Sequence, residues 1–356
     1  MKKILKTIEE IGPIDKKLME QAQERLDNLT KPKGSLGRIE ELAKKIVGIT
    51  EKAEPCLEKK VIFVMVGDHG ITREQVSAYP MEVTSQMVYN FLQGGAAINV
   101  LAKKLEAKVV VIDMGVAKNL KPHPDLVVKK IGYGTNNMSK GPAMDKEDAI
   151  KAVTAGIDVF EEELKTNGID IMGTGEMGIG NTTASSAIVT CITESKVEEV
   201  TGKGTGINDE ILQKKIEMIE KALSVNHPDS EDPIDILSKV GGYEIAGLVG
   251  CILAAARYRV PIMLDGFIST AAALVSAKFS PKVKEYLISS HNSVEKGHKI
   301  ALSYLKQKPL FDLNMRLGEG TGAALGIDLA DISVKILTQM ATFDEASVSR
   351  KDKRQD

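Results

Sequence analysis

Two glycine-rich segments far apart in the chain each enclose a glutamate: Gly173, Gly175, Glu176, Gly178, Gly180 and Asn181 in the first, and Gly318, Glu319, Gly320 and Gly322 in the second. Glycines let a backbone approach a ligand closely and aim N–H groups at it, which suits a phosphate. A carboxylate in the same loop would repel that phosphate, so the glutamates must face another part of the ligand. Anion-binding backbone with one or two nearby carboxylates points to a phosphorylated substrate. Its reacting end would need a proton removed or a developing cation stabilised. Either glutamate alone is explained as well by capping a helix N-terminus. Two in separate glycine-rich loops favour a shared site.

Those loops follow apolar, β-branched runs of the kind that form parallel strands buried on both faces. Val61–Val66 runs into Gly67, Asp68 and His69; Val109–Ile112 into Asp113; and Ile169–Met172 into the first glutamate segment. Further on, Pro261–Leu264 runs into Asp265, Tyr286–Ser289 into Ser290 and His291, and Leu310–Met315 into the second glutamate segment. Ligands of open α/β sheets bind outside the carboxyl ends of the strands, so these loops are expected to converge. Helical periodicity marks Val83–Leu105, Asn208–Ser224, Ala246–Tyr258 and Ser293–Lys306. The fold expected is α/β, Rossmann-like and doubly wound with a mostly parallel sheet. Residues 31–328 would form the large catalytic domain, residues 1–30 and 329–350 a small helical domain, and residues 351–356 a frayed tail.

Composition removes several function classes. The chain has 356 residues, 47 basic and 49 acidic side chains, no Trp and 4% aromatic residues. It offers neither a basic stripe nor stacking platforms for nucleic acid. No apolar run reaches membrane-spanning length, and Lys2 and Lys3 lead to Glu9 and Glu10 rather than to a signal-peptide core. Cys56, Cys191 and Cys251 are scattered, which points to reduced structural thiols and a cytoplasmic setting. The five histidines form neither HxH nor HExxH, so no metal cage and no cofactor are expected.

Other motifs compete. Gly173-x-Gly175-x-x-Gly178 matches a dinucleotide fingerprint, with Glu194 near the acidic offset, and supports an NAD-dependent oxidoreductase as one alternative. Against it, the carboxylate of Glu176 would sit near the pyrophosphate. Gly202–Gly206 lacks the spacing of a Walker A loop. Asn292 with Glu295 fits a capping box, which competes with an anion contact by Ser293. Asp68-His69 has no nucleophile elbow beside it. Lys214 and Lys215 lie together on a charged helix, and either is a candidate phosphate contact. A phosphosugar- or nucleotide-binding protein without transfer activity is the other alternative.

Taken together, Leu29–Arg38, Gly67–Ile71, Gly173–Thr183, Gly202–Gly206, Leu264–Phe267, Ser290-His291 with Glu295–Gly297, and Met315–Leu325 resemble the nicotinate-nucleotide:dimethylbenzimidazole phosphoribosyltransferase family, in order and over nearly the whole chain. The resemblance implies transfer of ribose 5-phosphate from nicotinate mononucleotide to 5,6-dimethylbenzimidazole. The products would be α-ribazole 5′-phosphate and nicotinate, and the enzyme a homodimer. It puts Glu319 at the catalytic base and Glu176 at the second acidic position. Gly178 and Lys215 fall around the phosphate and ribose, and Tyr79 and Met87 in the benzimidazole pocket, where Gln86 is a competing contact. Met177, Gly180, Asn181, Gly204, Asp265, Ser293 and Met315, from the same loops, complete the expected substrate-binding set.

Overall fold

The structure, a computed structural model, describes residues 1–204 and 206–349; the expected frayed tail at 351–356 lies outside the described residues. Its centre is a six-stranded parallel sheet: β1 (Lys60–Gly67), β2 (Lys108–Gly115), β3 (Leu126–Val128), β4 (Ile171–Met177), β5 (Ile262–Leu264) and β6 (Leu287–Ser289). The strand order is β3-β2-β1-β4-β5-β6. The chain thus winds outward from β1 to one edge, returns to the middle and winds outward again from β4. Every residue of β1 after Lys60 is buried, as helices on both faces require of Val61–Val66. The α/β, doubly wound expectation holds.

Three local expectations do not. The first glutamate segment is not a loop throughout, because β4 continues through Gly173, Gly175 and Glu176 to Met177, paired along its length with β1. Leu310–Met315 is not a strand. It runs extended beside residues 289–294, with one isolated bridge between His291 and Phe311 and bonds such as Asn292 N–H to the Phe311 carbonyl at 2.9 Å. The helix expected over Val83–Leu105 is two helices, Glu82–Leu92 and Ala97–Leu105, broken where Gly94 takes a φ of 76°. The short edge strand β3 and the helix Lys146–Asn167 were not expected, the latter because acidic and basic residues mask its apolar stripe.

The glycines of β4 exist for packing. A Cβ on Gly173 would stand 3.2 Å from both Ala323 and Ile327, and one on Gly175 would stand 2.6 Å from the Glu319 carbonyl oxygen. Strand glycines mark the close approach of another backbone, here the start of the helix Thr321–Gln339. This contact brings the second glutamate segment onto the first.

A second, smaller apolar cluster joins Ala22, Leu26 and Leu29 to Ala43, Val47 and Leu337, so segments from both chain ends meet on the helix Arg38–Thr50. Ile4 and Ile11, by contrast, belong to the main core. Among the described residues no helix is long and apolar enough to cross a membrane.

Candidate active site

The strand order reverses between β1 and β4, and the carboxyl ends there carry the expected residues. Asp68 and His69 follow β1, Glu176 lies at the end of β4, Asp265 follows β5, and Ser290 and His291 follow β6. Glu176 is buried and accepts a hydrogen bond from the Asn181 side-chain amide at the first turn of the helix Asn181–Thr193. The second segment closes over it. A side chain at Gly318 would collide with Glu176 Oε1, so only glycine fits there, and its φ of 83° favours glycine as well.

Glu319 is buried, and its Oε2 accepts from the Ile98 N–H at 3.4 Å, at the N-terminus of the helix Ala97–Leu105. That helix end favours negative charge. Asp265 is also buried, but both its oxygens are engaged. Oδ2 accepts from Gly320 N–H at 3.0 Å, and Oδ1 from Gly322 and Ala323 N–H at 2.7 and 3.2 Å.

Three carboxylates in one buried space resist ionisation. Burial, then the charges of Asp265 and Glu244, push Glu176 up to about 8. Burial pushes Asp265 up to about 7 against the pull of its three backbone donors. Glu319 is raised by burial and held back by the Ile98 N–H.

Around the first turn of the helix Asn181–Thr193 the charge changes sign. Lys215, 1% exposed, donates to Thr182 Oγ1 at 2.8 Å and to the Gly202 carbonyl at 3.3 Å. Among the described residues it has no carboxylate within ion-pair range. Burial brings its ammonium down to about 8, against the opposing charge of Glu295. Gly204, at φ 50°, lies beside Lys215 and Thr182, and its carbonyl accepts from Arg316 at 3.0 Å. Among the described residues the buried Thr183 hydroxyl has no partner. A buried cation, a free hydroxyl and a helix N-terminus together suit an anion. Lys214 instead points outward, 3.5 Å from the Gln75 side chain.

Not every expected residue joins this group. Ser293 is committed to local structure: its N–H donates to His298 Nδ1 at 2.9 Å and its hydroxyl accepts from Glu295 N–H at 3.4 Å. The capping box expected of Asn292 and Glu295 does not form, because the helix starts at Lys296 and Asn292 bonds Asp312 at 2.7 Å. Tyr79 is 54% exposed and Gln86 is exposed. Met87, Met177 and Met315 are half-buried at the edges of the site elements.

Sequence reasoning missed Glu244. It is fully buried and 2.6 Å from His69 Nε2. Burial pulls that imidazole down, but the charge and hydrogen bond of Glu244, with Asp68, win and raise it. The signal was a lone carboxylate in the otherwise apolar helix Tyr243–Arg257.

The dinucleotide alternative fails on geometry, since the space over Gly173 and Gly175 is filled by residues 319–327 of the same chain. A family model described as phosphoribosyltransferase matches residues 11–348. The chain belongs to this phosphoribosyltransferase family. A nicotinate-nucleotide–dimethylbenzimidazole phosphoribosyltransferase of Geobacter sulfurreducens is 52% identical over 349 residues, 98% of this chain and 99% of the relative. One of the same name from Chloroflexus aurantiacus is 53% identical over 345 residues, covering 97% and 98%. The crystal structure of a nicotinate-nucleotide-dimethylbenzimidazole phosphoribosyltransferase from Thermus thermophilus superposes with a TM-score of 0.90 at 40% identity. It covers 95% of this chain and 100% of that one. The fold of this phosphoribosyltransferase is therefore shared with the Thermus thermophilus structure over nearly its whole length.

Proposed function

We propose that the enzyme transfers ribose 5-phosphate from nicotinate mononucleotide to 5,6-dimethylbenzimidazole, releasing nicotinate, with inversion at the anomeric carbon and Glu319 as general base. The observation that carries this reading is the packing of Gly318 against the Glu176 carboxylate. It unites two acidic segments far apart in the chain, beside the anion-binding surroundings of Lys215.

The chemistry fits those groups. The nicotinate ring nitrogen is cationic in the nucleotide, so breaking the C1′–N bond neutralises it and the leaving group needs no acid. The benzimidazole attacks through its unprotonated nitrogen, and its other N–H becomes acidic as the new bond forms. One carboxylate suffices to take that proton. Glu319 is the candidate, because burial raises it from its ordinary value and so strengthens it as a base.

Glu176 would stand by the ribose. Burial and neighbouring carboxylates favour its protonated form at neutral pH. A bound pyridinium, and then the cationic ribose that forms, would favour its carboxylate and be stabilised by it in turn. Lys215, with the Gly178–Asn181 turn, would hold the 5′-phosphate and fix the sugar between the two rings. Half-buried Met177 and Met87 offer apolar surface for a flat ring. Exposed Leu313, Leu317 and Val294 near the second glutamate segment support a homodimer, and three free cysteines support a cytoplasmic setting.

Chromatography of a mixture of enzyme, nicotinate mononucleotide and 5,6-dimethylbenzimidazole tests the reaction. Nicotinate and an α-riboside phosphate should appear in equal amounts. Nicotinate alone would mean hydrolysis or the wrong acceptor; neither product would favour a binding protein. Light scattering should give a mass near twice the 38.5 kDa chain.

A further inference from the structure

The helix Thr321–Gln339 starts without a cap of its own. Its N-cap residue is Gly320, which has no side chain to accept the first N–H groups. Those groups are satisfied from another part of the fold. Asp265, the residue after β5, takes the N–H of Gly320 on one oxygen and those of Gly322 and Ala323 on the other. Its own N–H is fixed in turn by Thr174 Oγ1 at 3.0 Å, on β4. One buried residue therefore ties the end of β5 and the middle of β4 to the backbone on the C-terminal side of Glu319.

That backbone has little freedom left. Glu319 lies at φ 63°, between Gly318 at 83° and Gly320 at 94°, a run of left-handed residues that a non-glycine residue seldom joins. Gly322 is pressed between His291 and Asp265, with no room for a Cβ. Among the described residues the Glu319 side chain has one hydrogen bond, the 3.4 Å contact from Ile98 N–H, too few to orient it alone.

We propose that Asp265 is a positioning residue of the transfer reaction: by bonding Gly320, Gly322 and Ala323 it holds the Glu319 backbone in its left-handed turn and so aims the base. With both oxygens committed to main-chain donors, Asp265 acts through the backbone rather than on the nucleotide. This inference rests on Glu319 being the base. It assigns Asp265 a role different from the substrate contact expected from its place after a strand.

The test is a double-mutant cycle with Asp265→Asn and Glu319→Gln. An asparagine keeps one acceptor but turns an NH2 toward a backbone N–H, so the turn loses at least one bond. Asp265→Asn should lower kcat about 30-fold or more, with the KM for nicotinate mononucleotide within about threefold of wild type. In the Glu319→Gln background, read by single turnover, the same substitution should cost less than about threefold, because its effect runs through Glu319. Asp265→Glu should not rescue, its extra methylene displacing the turn.

A KM raised about tenfold with kcat kept would overturn the proposal in favour of substrate contact. An unchanged kcat with only a lowered Tm would reduce Asp265 to a helix cap. Equal losses in both backgrounds, with Glu319→Gln itself impaired, would also overturn it. Glu319→Gln at wild-type turnover would instead remove the base assignment, and this inference with it.

Discussion

Glu319 combines three properties that seldom meet in one carboxylate: burial, a left-handed backbone and a hydrogen bond from a helix N-terminus. The backbone strain costs on the order of 1 kcal/mol and is held by its neighbours, the usual situation for a residue kept for chemistry. Glu319→Gln preserves shape and can still accept from Ile98, but it cannot take a proton. Turnover should fall by roughly two to four orders of magnitude while the Kd for nicotinate mononucleotide, measured calorimetrically, changes little. Unchanged turnover would move the base elsewhere. The glycines around both glutamates were legible as a site from residue types alone. Their division of labour was not, because only contacts reveal that Gly173 receives the side chains of Ala323 and Ile327, Gly175 the backbone of Glu319 and Gly178 the Gly67 carbonyl.

At the scale of elements, two kinds of close glycine contact separate stability from activity. Helices Lys146–Asn167 and Tyr243–Arg257 cross where a Cβ on Gly156 would strike the Gly247 carbonyl and one on Gly250 the Val153 carbonyl. Gly156→Ala should destabilise the fold by about 1–3 kcal/mol, seen as a lower midpoint in urea, and leave kcat of the folded enzyme near wild type. Gly175→Ala is expected to behave differently. Its Cβ would stand 2.6 Å from the Glu319 carbonyl, so kcat should fall along with stability. Equal kcat losses in the two variants would argue against this separation. The strands were readable because both-sided burial demands unbroken apolar runs such as Val61–Val66. Leu310–Met315 also begins apolar and yet forms only one bridge. A strand is completed by its partners, and Asp312 and Asn314 in that segment are exposed beside an edge.

For the whole molecule, a buried acidic cluster makes stability depend on pH in an unusual direction. Glu176 is raised to about 8 and Asp265 to about 7 in the folded state, each from an ordinary value near 4. Between the unfolded and folded values the native state binds more protons than the unfolded chain, so this contribution is fully present below about pH 4 and is lost as pH rises toward 8. Other groups superimpose their own dependence. The specific expectation is therefore a difference: Glu176→Gln should flatten the decline in Tm between about pH 5 and pH 8 for the enzyme without substrate. Calorimetry or circular dichroism suits the measurement, as the chain has no tryptophan. A variant as pH-sensitive as wild type would show that Glu176 ionises normally.

The sequence by itself determined the class of sheet, five of the six strands, the two acidic segments and the family, since apolar periodicity and short motifs are local properties of a chain. Tertiary structure alone decided what those parts do to one another. It buried the Lys215 ammonium against Thr182 and left that of Lys214 beside Gln75 at the surface. It recruited Glu244 to His69 across 175 residues and turned Asp265 from a loop carboxylate into the cap of a distant helix. Hydrogen bonds and desolvation depend on distances between segments that no local pattern encodes, which is why the two acidic segments could be named in advance but Glu244 and the partners of each carboxylate could not.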